Sequence, residues 1–338
     1  MIEVIYHEEG VLDDPRTQEI LERHPRATLI PCAHYKDVFN PKGQNFRLQK
    51  ERPALILARQ TGSLVHPIPQ TYGIGGTRNF YFSHLLNCLY DCRYCFLQGM
   101  FPSAHYVLFI NYDDFKEEII NKTKDSEDGP SWFFSGYDCD SLALESVTGF
   151  ADSFLPFFAD QPNARLELRT KSSSVRILEK NAPLSNVVTA FSFTPEEISE
   201  QLEHKVPSVS ARIRAMEKIA RLGWPIGLRI DPLIDCKNFE ERYRALFEKL
   251  FSNLSPEAVH SVSLGTFRVP VSYFKKMEKL HPEEPLFAGH LEKRGNSIGY
   301  RQEIEQDRSA FCRDELLKHI PEEKLFQCEM EESNGTAK

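Results

Sequence analysis

The sequence predicts an α/β fold, a partial (β/α)6 TIM-like barrel with N-terminal and C-terminal extensions. From residue 77 onward, short apolar or β-branched runs alternate with longer segments of helical period. Strand, helix and strand repeated in this way indicate parallel pairing with right-handed crossovers. We predict strands over residues 79–82, 131–135, 165–168, 186–193, 226–230 and 259–264, and helices over residues 112–122, 142–158, 173–180, 209–222 and 239–251.

The helix predicted over residues 209–222 shows both an apolar stripe and a stop signal. Ile213, Met216 and Ile219 recur at helical spacing and would share one face. Gly223 follows the last periodic residue, and Pro225 prevents the helix from continuing. The next strand is therefore expected to begin directly after this proline.

Four segments are expected along the chain. Residues 1–76 contain scattered prolines that interrupt any regular pattern, so we predict an N-terminal extension packed on the barrel. The barrel should occupy residues 77–268, and a C-terminal substrate-side region should occupy residues 269–325. Residues 326–338 are rich in glutamate and end in Asn-Gly-Thr-Ala-Lys, which predicts a disordered tail.

Composition narrows the class of protein. With 338 residues, of which 41% are hydrophobic and 11% aromatic, the chain resembles an ordinary globular protein. Its apolar runs are too short to cross a bilayer, and its start does not resemble a signal peptide, so no membrane partner and a cytoplasmic location are expected. The eight cysteines should then stay reduced. A formal net charge of -8 argues against sequence-blind affinity for nucleic acid.

Three of the cysteines lie close together in the segment Asn-Cys-Leu-Tyr-Asp-Cys-Arg-Tyr-Cys. Cys88, Cys92 and Cys95 follow the first barrel strand, and parallel barrels keep their chemistry at the carboxyl ends of their strands. A zinc site usually takes four protein ligands in closely spaced pairs, and no second Cys-x-x-Cys is present. A 4Fe-4S cluster held by three thiolates leaves one iron open to a small molecule. Three crowded thiolates therefore favour such a cluster over zinc. Their spacing is Cys-x3-Cys-x2-Cys, with Tyr94 before the last cysteine.

This motif resembles that of the radical S-adenosylmethionine (SAM) superfamily, and residues 75–305 are similar to the spore photoproduct lyase family. Cys-Arg-Tyr-Cys-Phe-Leu-Gln at residues 92–98 resembles the family's Cys-His-Tyr-Cys-Tyr-Leu-Gln. Arg-Thr-Lys at 169–171, Phe-Ser-Phe at 191–193 and Tyr-Arg-Ala-Leu-Phe-Glu-Lys-Leu at 243–250 match family motifs in the same order. The resemblance implies a radical enzyme that repairs a methylene-bridged thymine dimer in DNA.

The resemblance also implies the cofactors and their ligands. Cys88, Cys92 and Cys95 would bind a 4Fe-4S cluster, and S-adenosyl-L-methionine would complete the coordination of the open iron. The implied cofactor-binding residues are Tyr94, Lys171, Ser192, Asp140 and Glu145. An ammonium and a hydroxyl at strand ends suit a methionyl carboxylate. The two carboxylates have a second interpretation, as caps of the helix that begins near residue 142. Damaged DNA and a one-electron donor such as flavodoxin or ferredoxin are the implied partners.

The largest departure from the family lies just before that helix. The family has Cys-Thr-Ser-Asp, whose cysteine returns a hydrogen atom to the product radical, whereas this chain has Tyr-Asp-Cys-Asp at residues 137–140. Tyr137 therefore occupies the donor position, and Cys139 offers a thiol two residues later. If the strand end stays extended, both residues point to the same face. Cys139 has a second interpretation as a small apolar filler. Phe96 stands where the family has a second tyrosine and cannot form a phenoxyl radical.

The C-terminal region contains a possible substrate hairpin. Arg294, Tyr300 and Arg301 fall near the family's basic hairpin, and Gly-Asn at residues 295–296 suits a tight turn. Such a hairpin could wedge into a DNA lesion, or it could simply face solvent.

Two other functional classes stay open on the sequence. The changed donor motif and the acidic charge allow a radical SAM enzyme of the same family that acts on a different, non-DNA substrate. A non-catalytic iron-sulfur or zinc protein that kept the fold is the second alternative.

Overall fold

The computed structural model describes residues 2–68, 72–124, 129–252 and 254–328. Packing divides the chain into two compact units. Unit 1 comprises Met1–Ile68, Gly76–Leu89 and Met100–Thr170, and unit 2 comprises Pro69–Gly75, Tyr90–Gly99 and Lys171–Lys338. The segment bounds expected from the sequence stay predictions. Of the expected tail, residues 329–338 lie outside the described part of the chain.

Unit 1 contains two parallel arrangements of strands with their helices. Its strands are β1 Val4–Glu8, β2 Thr28–Cys32, β3 Leu55–Ala58, β4 Val65–Pro67, β5 Asn79–Phe82, β6 Leu85–Leu86, β8 Tyr106–Phe109, β9 Ser131–Phe134 and β10 Ala164–Thr170. Its helices are α1 Pro15–Arg23, α2 Tyr35–Phe39, α3 Phe46–Glu51, α5 Tyr112–Thr123, α6 Glu145–Thr148 and α7 Phe150–Ala159.

The N-terminal residues supply three strands of a second sheet, which the sequence did not predict. Its strand order is β2-β1-β3-β8-β6, and all neighbours are parallel except β6 and β8. Pro31 lies in β2, the edge strand, where a missing N–H breaks no ladder. Among the other described prolines, Pro41 and Pro53 lie in loops, and Pro67 ends β4, which is itself an edge strand. The Arg16 guanidinium donates to Thr148 O at 3.3 Å and lies 3.8 Å from the Tyr112 ring centroid, which packs this segment on barrel elements of unit 1.

The barrel strands of unit 1 run in the order β10-β9-β5-β4. β5 pairs in parallel with β9, and β9 with β10, whereas β4 pairs with β5 in antiparallel fashion. The helix expected over residues 142–158 is broken at Gly149, whose φ of 56° is left-handed. A glycine adopts this conformation without steric cost, so α6 ends there and α7 begins in a new direction.

Unit 2 supplies the remaining elements. Its strands are β7 Asp91–Cys92, β11 Val187–Ser192, β12 Glu203–His204, β13 Ile226–Leu233, β14 Val259–Thr266, β15 Arg268–Pro270, β16 Leu291–Arg294, β17 Ser297–Tyr300 and β18 Leu325–Gln327. Its helices are α4 Leu97–Met100 (all but its last residue), α8 Arg176–Lys180, α9 Glu196–Leu202, α10 Val209–Arg221, α11 Phe239–Phe251, α12 Val271–Leu280 and α13 Gln302–Leu316, with 3-10 turns at Pro285–Ala288 and Glu322–Lys324.

The strands of unit 2 form a parallel run and two small antiparallel sheets. The parallel run has the order β11-β13-β14-β18. The small sheets have the orders β15-β17-β16 and β12-β7. All six predicted barrel strands exist as β5, β9, β10, β11, β13 and β14, so the predicted α/β class is confirmed. Among the described helices, none is long and apolar enough to span a membrane.

The core of unit 2 is built as the periodicity predicts. Ile213, Met216 and Ile219 of α10 are buried. Gly223 follows the helix with a φ of 97°, and the Trp224 indole donates to Leu178 O at 3.0 Å. The left-handed glycine ends the helix, and the buried indole then fixes the start of β13.

Gly99 is required by a close approach of two backbones within unit 2. A Cβ at this position would lie 2.7 Å from the Tyr273 carbonyl carbon of α12. We expect Gly99→Ala to lower the free energy of unfolding by about 3 kcal/mol, because backbone cannot yield as a side chain can. Gly62→Ala is the control, since its φ is 84° but nothing lies within 4 Å of its Cβ, and we expect a loss of about 1 kcal/mol. Urea denaturation measures both, and equal losses would contradict the packing argument.

Candidate active site

The loop that carries the three cysteines is held by its own backbone. Asn87 has a φ of 70° and donates through its side-chain amide to Ser103 O at 2.8 Å and His105 O at 2.7 Å, so it stabilises the turn before Cys88. Lys50 Nζ donates to Cys88 O at 2.5 Å. These contacts fix the first cysteine of the motif within unit 1.

In unit 2, the other two cysteines begin a tight turn. Cys95 N donates to Cys92 O at 3.1 Å, and Gln98 Nε2 donates to the same carbonyl at 2.6 Å. Gln98 also bonds Asp91 and His281, and the His281 contact joins the turn to the end of α12. Cys92 is buried, and Cys95 is half-buried. The backbone geometry of the loop is therefore set by hydrogen bonds of the protein.

A two-residue ladder ties this loop to the segment after α9. Glu203 of β12 pairs with Cys92 of β7, and His204 pairs with Asp91. Arg93 N donates to Leu202 O at 2.8 Å and extends the ladder by one bond. The position of residues 91–95 of the loop therefore depends on where Glu203 is held.

Glu203 is held by a buried ion pair with Arg212 of α10. Both side chains are 0% exposed, and Arg212 Nη2 lies 2.6 Å from Glu203 Oε2. Ser199 Oγ donates to the same oxygen at 2.7 Å, and the Tyr94 hydroxyl donates to the other. Burial alone would raise the pKa of Glu203, but the charges of Arg212 and Lys171 and these hydrogen bonds hold it below its ordinary value. Glu203 is therefore a carboxylate whose charge is compensated inside unit 2.

The same ion pair brings together three residues that the sequence singled out. Tyr94 bonds Glu203, and Arg212 Nη1 donates to Ser192 O at 2.8 Å. The Lys171 ammonium lies 5.6 Å from the Tyr94 ring centroid. Burial, followed by the charges of Glu203 and Cys92, raises the pKa of the Tyr94 phenol. Tyr94 therefore stays neutral and serves as a hydrogen-bond donor.

Glu203 and Arg212 were not identified from the sequence, although one signal was present. Arg212 falls directly before Ile213 and four residues before Met216, on the apolar stripe of α10. A charge at a core-facing position implies a buried partner, because an unpaired charge there is strongly destabilising. Its partner follows the short helix α9 and has no periodicity that marks it.

In unit 1, the loop after β9 places the two possible hydrogen donors differently. β9 ends at Phe134, so the extended continuation that would align Tyr137 with Cys139 does not form. Tyr137 is 46% exposed, whereas Cys139 is 6% exposed, and its thiol donates to Ser135 O at 3.6 Å. Burial raises the pKa of Cys139 well above its ordinary value, and the nearby Cys88 adds to the rise. Cys139 is therefore a protonated thiol close to the first cysteine of the motif.

The carboxylates of Asp140 and Glu145 both act as caps. Asp140 Oδ1 accepts hydrogen bonds from Leu142 N at 3.0 Å and from Ala143 N at 2.8 Å. Glu145 accepts from two backbone N–H groups at the start of α7, at 2.8 and 3.0 Å. The capping interpretation thus has direct geometric support, and contact with a cofactor stays a prediction.

The C-terminal hairpin forms, but two of its three predicted residues are used inside the protein. β16 and β17 pair around Gly295, whose φ is 56°. Tyr300 is 3% exposed, and its hydroxyl accepts from Asp235 N at 2.9 Å. Arg294 pairs with Glu305 and donates to Tyr300 O at 2.9 Å. Arg301 is exposed at the start of α13. A role for the three in substrate binding stays a prediction.

In the described part of the chain, no three His, Cys, Asp or Glu side chains converge on a point that could hold one metal ion. The thiolates of a 4Fe-4S cluster bind three different irons, so they do not need to converge in that way. All eight cysteines lie among the described residues and are thiols. The donor set of Cys88, Cys92 and Cys95 therefore fits a cluster.

Removal of Glu203 should release the cysteine loop. We expect Glu203→Ala to lower the free energy of unfolding by about 3–5 kcal/mol, because Arg212 would remain charged and buried without its partner. Glu200→Ala in α9 removes an exposed carboxylate three residues earlier and should change stability by less than about 0.5 kcal/mol. Thermal and urea denaturation measure both variants. Similar stabilities for the two would mean that the ion pair does not hold this region.

Glu145 should make stability depend on pH. Burial raises the pKa of Glu145 to about 7. Since this value exceeds that of the unfolded chain, the contribution of the group to stability is present below about pH 4.5 and is lost as pH rises through 7. We expect a loss of the order of 3 kcal/mol across this range, which Glu145→Gln abolishes. Denaturation at several pH values measures it, with Asp160→Asn at the exposed end of α7 as the control. An unchanged slope in Glu145→Gln would contradict the assignment.

This chain is similar to known proteins in both sequence and fold. The family model described as "Spore photoproduct lyase" matches residues 80–284. The spore photoproduct lyase of Bacillus subtilis (strain 168) is 23% identical over 295 residues, which cover 84% of this chain and 83% of the relative.

Solved structures of spore photoproduct lyase variants share the fold. One with bound AdoMet and dinucleoside spore photoproduct matches with a TM-score of 0.83 at 17% identity, covering 97% of this chain and 98% of that one. A second variant matches with a TM-score of 0.82 at 18% identity, covering 98% and 99%. The predicted partial barrel is thereby confirmed as the fold. The family model covers more than half of the residues of this chain. This chain therefore belongs to the spore photoproduct lyase family.

Proposed function

We propose that this chain is a radical SAM lyase that repairs spore photoproduct, a thymine-dimer lesion, in DNA. The observation that carries the proposal is the buried Glu203–Arg212 pair, which anchors the cysteine loop and gathers Tyr94, Ser192 and Lys171 around it. This chain belongs to a family named for that repair, and its similar solved structures include one with AdoMet and dinucleoside spore photoproduct bound.

In this proposal, Cys88, Cys92 and Cys95 hold a 4Fe-4S cluster, which with S-adenosylmethionine supplies a 5'-deoxyadenosyl radical when bound and reduced. The Lys171 ammonium pairs with the carboxylate of the cofactor, and the Ser192 hydroxyl donates a hydrogen bond to it. Arg212 fixes the end of β11 through its hydrogen bond to Ser192 O, and the Tyr94 ring lies beside the Lys171 ammonium. Burial of this region excludes water from a reactive radical.

We assign Cys139 as the hydrogen donor to the product radical, with Tyr137 as the alternative. The Cys139 Sγ–H bond breaks, its hydrogen atom forms the new C–H bond of the repaired thymine, and a thiyl radical remains. Burial next to Cys88 supports this choice, since a raised pKa keeps the hydrogen on sulfur. Tyr137 occupies the family's donor position but is far more exposed.

The substrate and partners follow from the same proposal. Damaged DNA is the substrate, and a flavodoxin or ferredoxin supplies single electrons. A reducing, cytoplasmic location suits eight thiols and such a donor.

Phe96 and Tyr137 favour a second candidate, a radical SAM enzyme of the same family with a different, non-DNA substrate. Both residues depart from the family at positions linked to hydrogen return. The net charge of -8 also suits a small or neutral substrate better than a long polyanion.

The first experiment measures cofactor cleavage and repair together. The protein is reconstituted anaerobically with iron and sulfide and reduced with dithionite, and 5'-deoxyadenosine is quantified with and without dinucleoside spore photoproduct. We expect thymidylyl-thymidine to form from the lesion. Cys92→Ser should lose the cluster and both products, whereas Cys236→Ser, a half-buried thiol outside the motif, should keep them. Deoxyadenosine without repair would favour the second candidate, and none from a fully loaded cluster would reject a radical enzyme.

The donor is identified by two further variants. We expect Cys139→Ala to lower the yield of repaired product about tenfold or more while deoxyadenosine still forms, because only hydrogen return is lost. Tyr137→Phe should then return hydrogen normally. Repair in deuterium oxide, with deuterium in the product read by mass spectrometry, measures the exchangeable donor. Loss of deuterium in Tyr137→Phe but not in Cys139→Ala would assign the tyrosine instead.

A further inference from the structure

The outer side of α12 in unit 2 carries exposed lysines that the mechanism above does not use. Lys275, Lys276 and Lys279 are exposed, whereas Phe274 and Met277 of the same helix are buried. Successive residues of an α-helix are rotated by about 100° around its axis, so the three lysines fall within an arc of about 100° opposite the buried pair. We call this arc of three residues the lysine face.

The charges of the lysine face are not neutralised by nearby carboxylates. Among the described residues, no carboxylate lies within ion-pair distance of its three ammonium groups. The Lys276 ammonium lies 5.9 Å from the Tyr273 ring centroid, a contact that favours one position of this side chain. By contrast, Lys218 of α10 pairs with Glu179 at 2.8 Å. The lysine face is therefore a local concentration of positive charge.

α12 packs directly on the turn that begins at the second and third cysteines of the motif. Gly99, which follows this turn, approaches the backbone of Tyr273 so closely that a Cβ would lie 2.7 Å from the Tyr273 carbonyl carbon. At the end of α12, His281 is hydrogen-bonded to Gln98. An α-helix with its side chains is about 10–12 Å across. A protein bound to the lysine face would therefore lie about one helix diameter from the cysteine turn.

The size and surroundings of the lysine face limit the kind of partner that it fits. Glu278 lies about 60° around the helix from Lys275, and Glu283 follows the end of the helix; both are exposed. A long polyanion such as a DNA backbone would run onto these carboxylates, whereas a compact acidic patch of a protein can cover the lysines alone. The net charge of -8 repels an acidic protein from the chain as a whole, so such a partner needs a local basic face.

We propose that the lysine face of α12 is the docking surface for an acidic one-electron carrier protein of the flavodoxin or ferredoxin class. In the docked pair, the carrier loses one electron to the cluster held by the cysteine loop, and no atom is transferred. The contact is small and electrostatic, as in other electron-transfer encounters, so the oxidised carrier can leave. This inference rests on the proposed function, since it identifies where the partner of that same site binds.

Salt dependence in the wild-type protein gives the first test, which no folding defect can affect. Cluster-loaded protein is mixed anaerobically with flavodoxin hydroquinone, and stopped-flow absorbance follows its one-electron oxidation to the semiquinone. We expect the second-order rate constant to fall about tenfold or more between about 20 mM and about 500 mM NaCl, because salt screens the attraction between the lysine face and the acidic carrier. A rate constant that stays the same or rises with salt would overturn the proposal.

Charge reversals then test where the carrier binds. Lys275→Glu combined with Lys279→Glu should slow oxidation of flavodoxin about tenfold or more at low salt. Lys180→Glu combined with Arg221→Glu is the matched control, because it makes the same change in net charge at the exposed ends of α8 and α10. We expect this control to change the rate less than about threefold. Equal slowing by the two double variants would assign the effect to net charge and reject the lysine face.

Reduction by dithionite separates docking from damage to the cysteine turn. A small chemical reductant needs no docking surface, so both double variants should reach the same final fraction of reduced cluster as wild type, measured by electron paramagnetic resonance. If the reversal on α12 fails this control, Lys275→Gln combined with Lys279→Gln removes the charges without adding repulsion. An unchanged flavodoxin rate in that neutral variant would overturn the proposal, and a slower rate with normal dithionite reduction would support it.

Binding of a short DNA duplex, titrated in parallel, tests the other polyanion. If the reversal on α12 weakens duplex binding about tenfold and leaves the flavodoxin rate unchanged, the lysine face binds nucleic acid and the proposal fails. None of these measurements needs S-adenosylmethionine or a lesion. Absence of repair would therefore count against the proposed function without deciding the docking surface.

Discussion

The candidate site depends above all on the buried ion pair between Glu203 and Arg212. Two charges removed from water carry a large desolvation cost, which only close contact and further hydrogen bonds offset. Here Ser199 and Tyr94 complete the hydrogen bonding of the carboxylate, and Arg212 extends to the carbonyl of Ser192. Such a pair contributes little net stability in general, but its contacts fix how its neighbours are arranged. That arrangement is the one in which the cysteine loop, Tyr94 and the end of β11 are held together.

In unit 1, the polar groups of the loop after β9 are likewise satisfied by hydrogen bonds within the protein. Asp140 and Glu145 satisfy backbone N–H groups that would otherwise lack partners, so the turn between β9 and α7 is rigid. This rigidity keeps Cys139 buried and Tyr137 exposed within three residues of each other. One short loop therefore presents both a buried thiol and an exposed aromatic ring, which suit different chemical roles.

Much of the fold could be predicted, because strands and helices alternate along the barrel segment and the hydrophobic residues of each element recur with a clear period. The N-terminal sheet could not, since its strands are short and β8 joins them from more than forty residues beyond β3. The long helix expected over residues 142–158 was wrong in one respect. The apolar pattern of this segment continues through Gly149, but the left-handed backbone at Gly149 divides the expected helix into α6 and α7. Local periodicity does not record such a break.

The sequence by itself determined that three thiols lie on one loop, because their spacing keeps them together whatever surrounds them. It also located Tyr94, Lys171 and Ser192 through the family motifs. Only the tertiary structure decided that Glu203 and Arg212 pair, that Tyr300 and Arg294 are used internally, and that α12 packs on the cysteine turn. The physical reason is that burial and pairing depend on contacts between residues far apart in the chain, and those contacts leave no periodic pattern in the sequence.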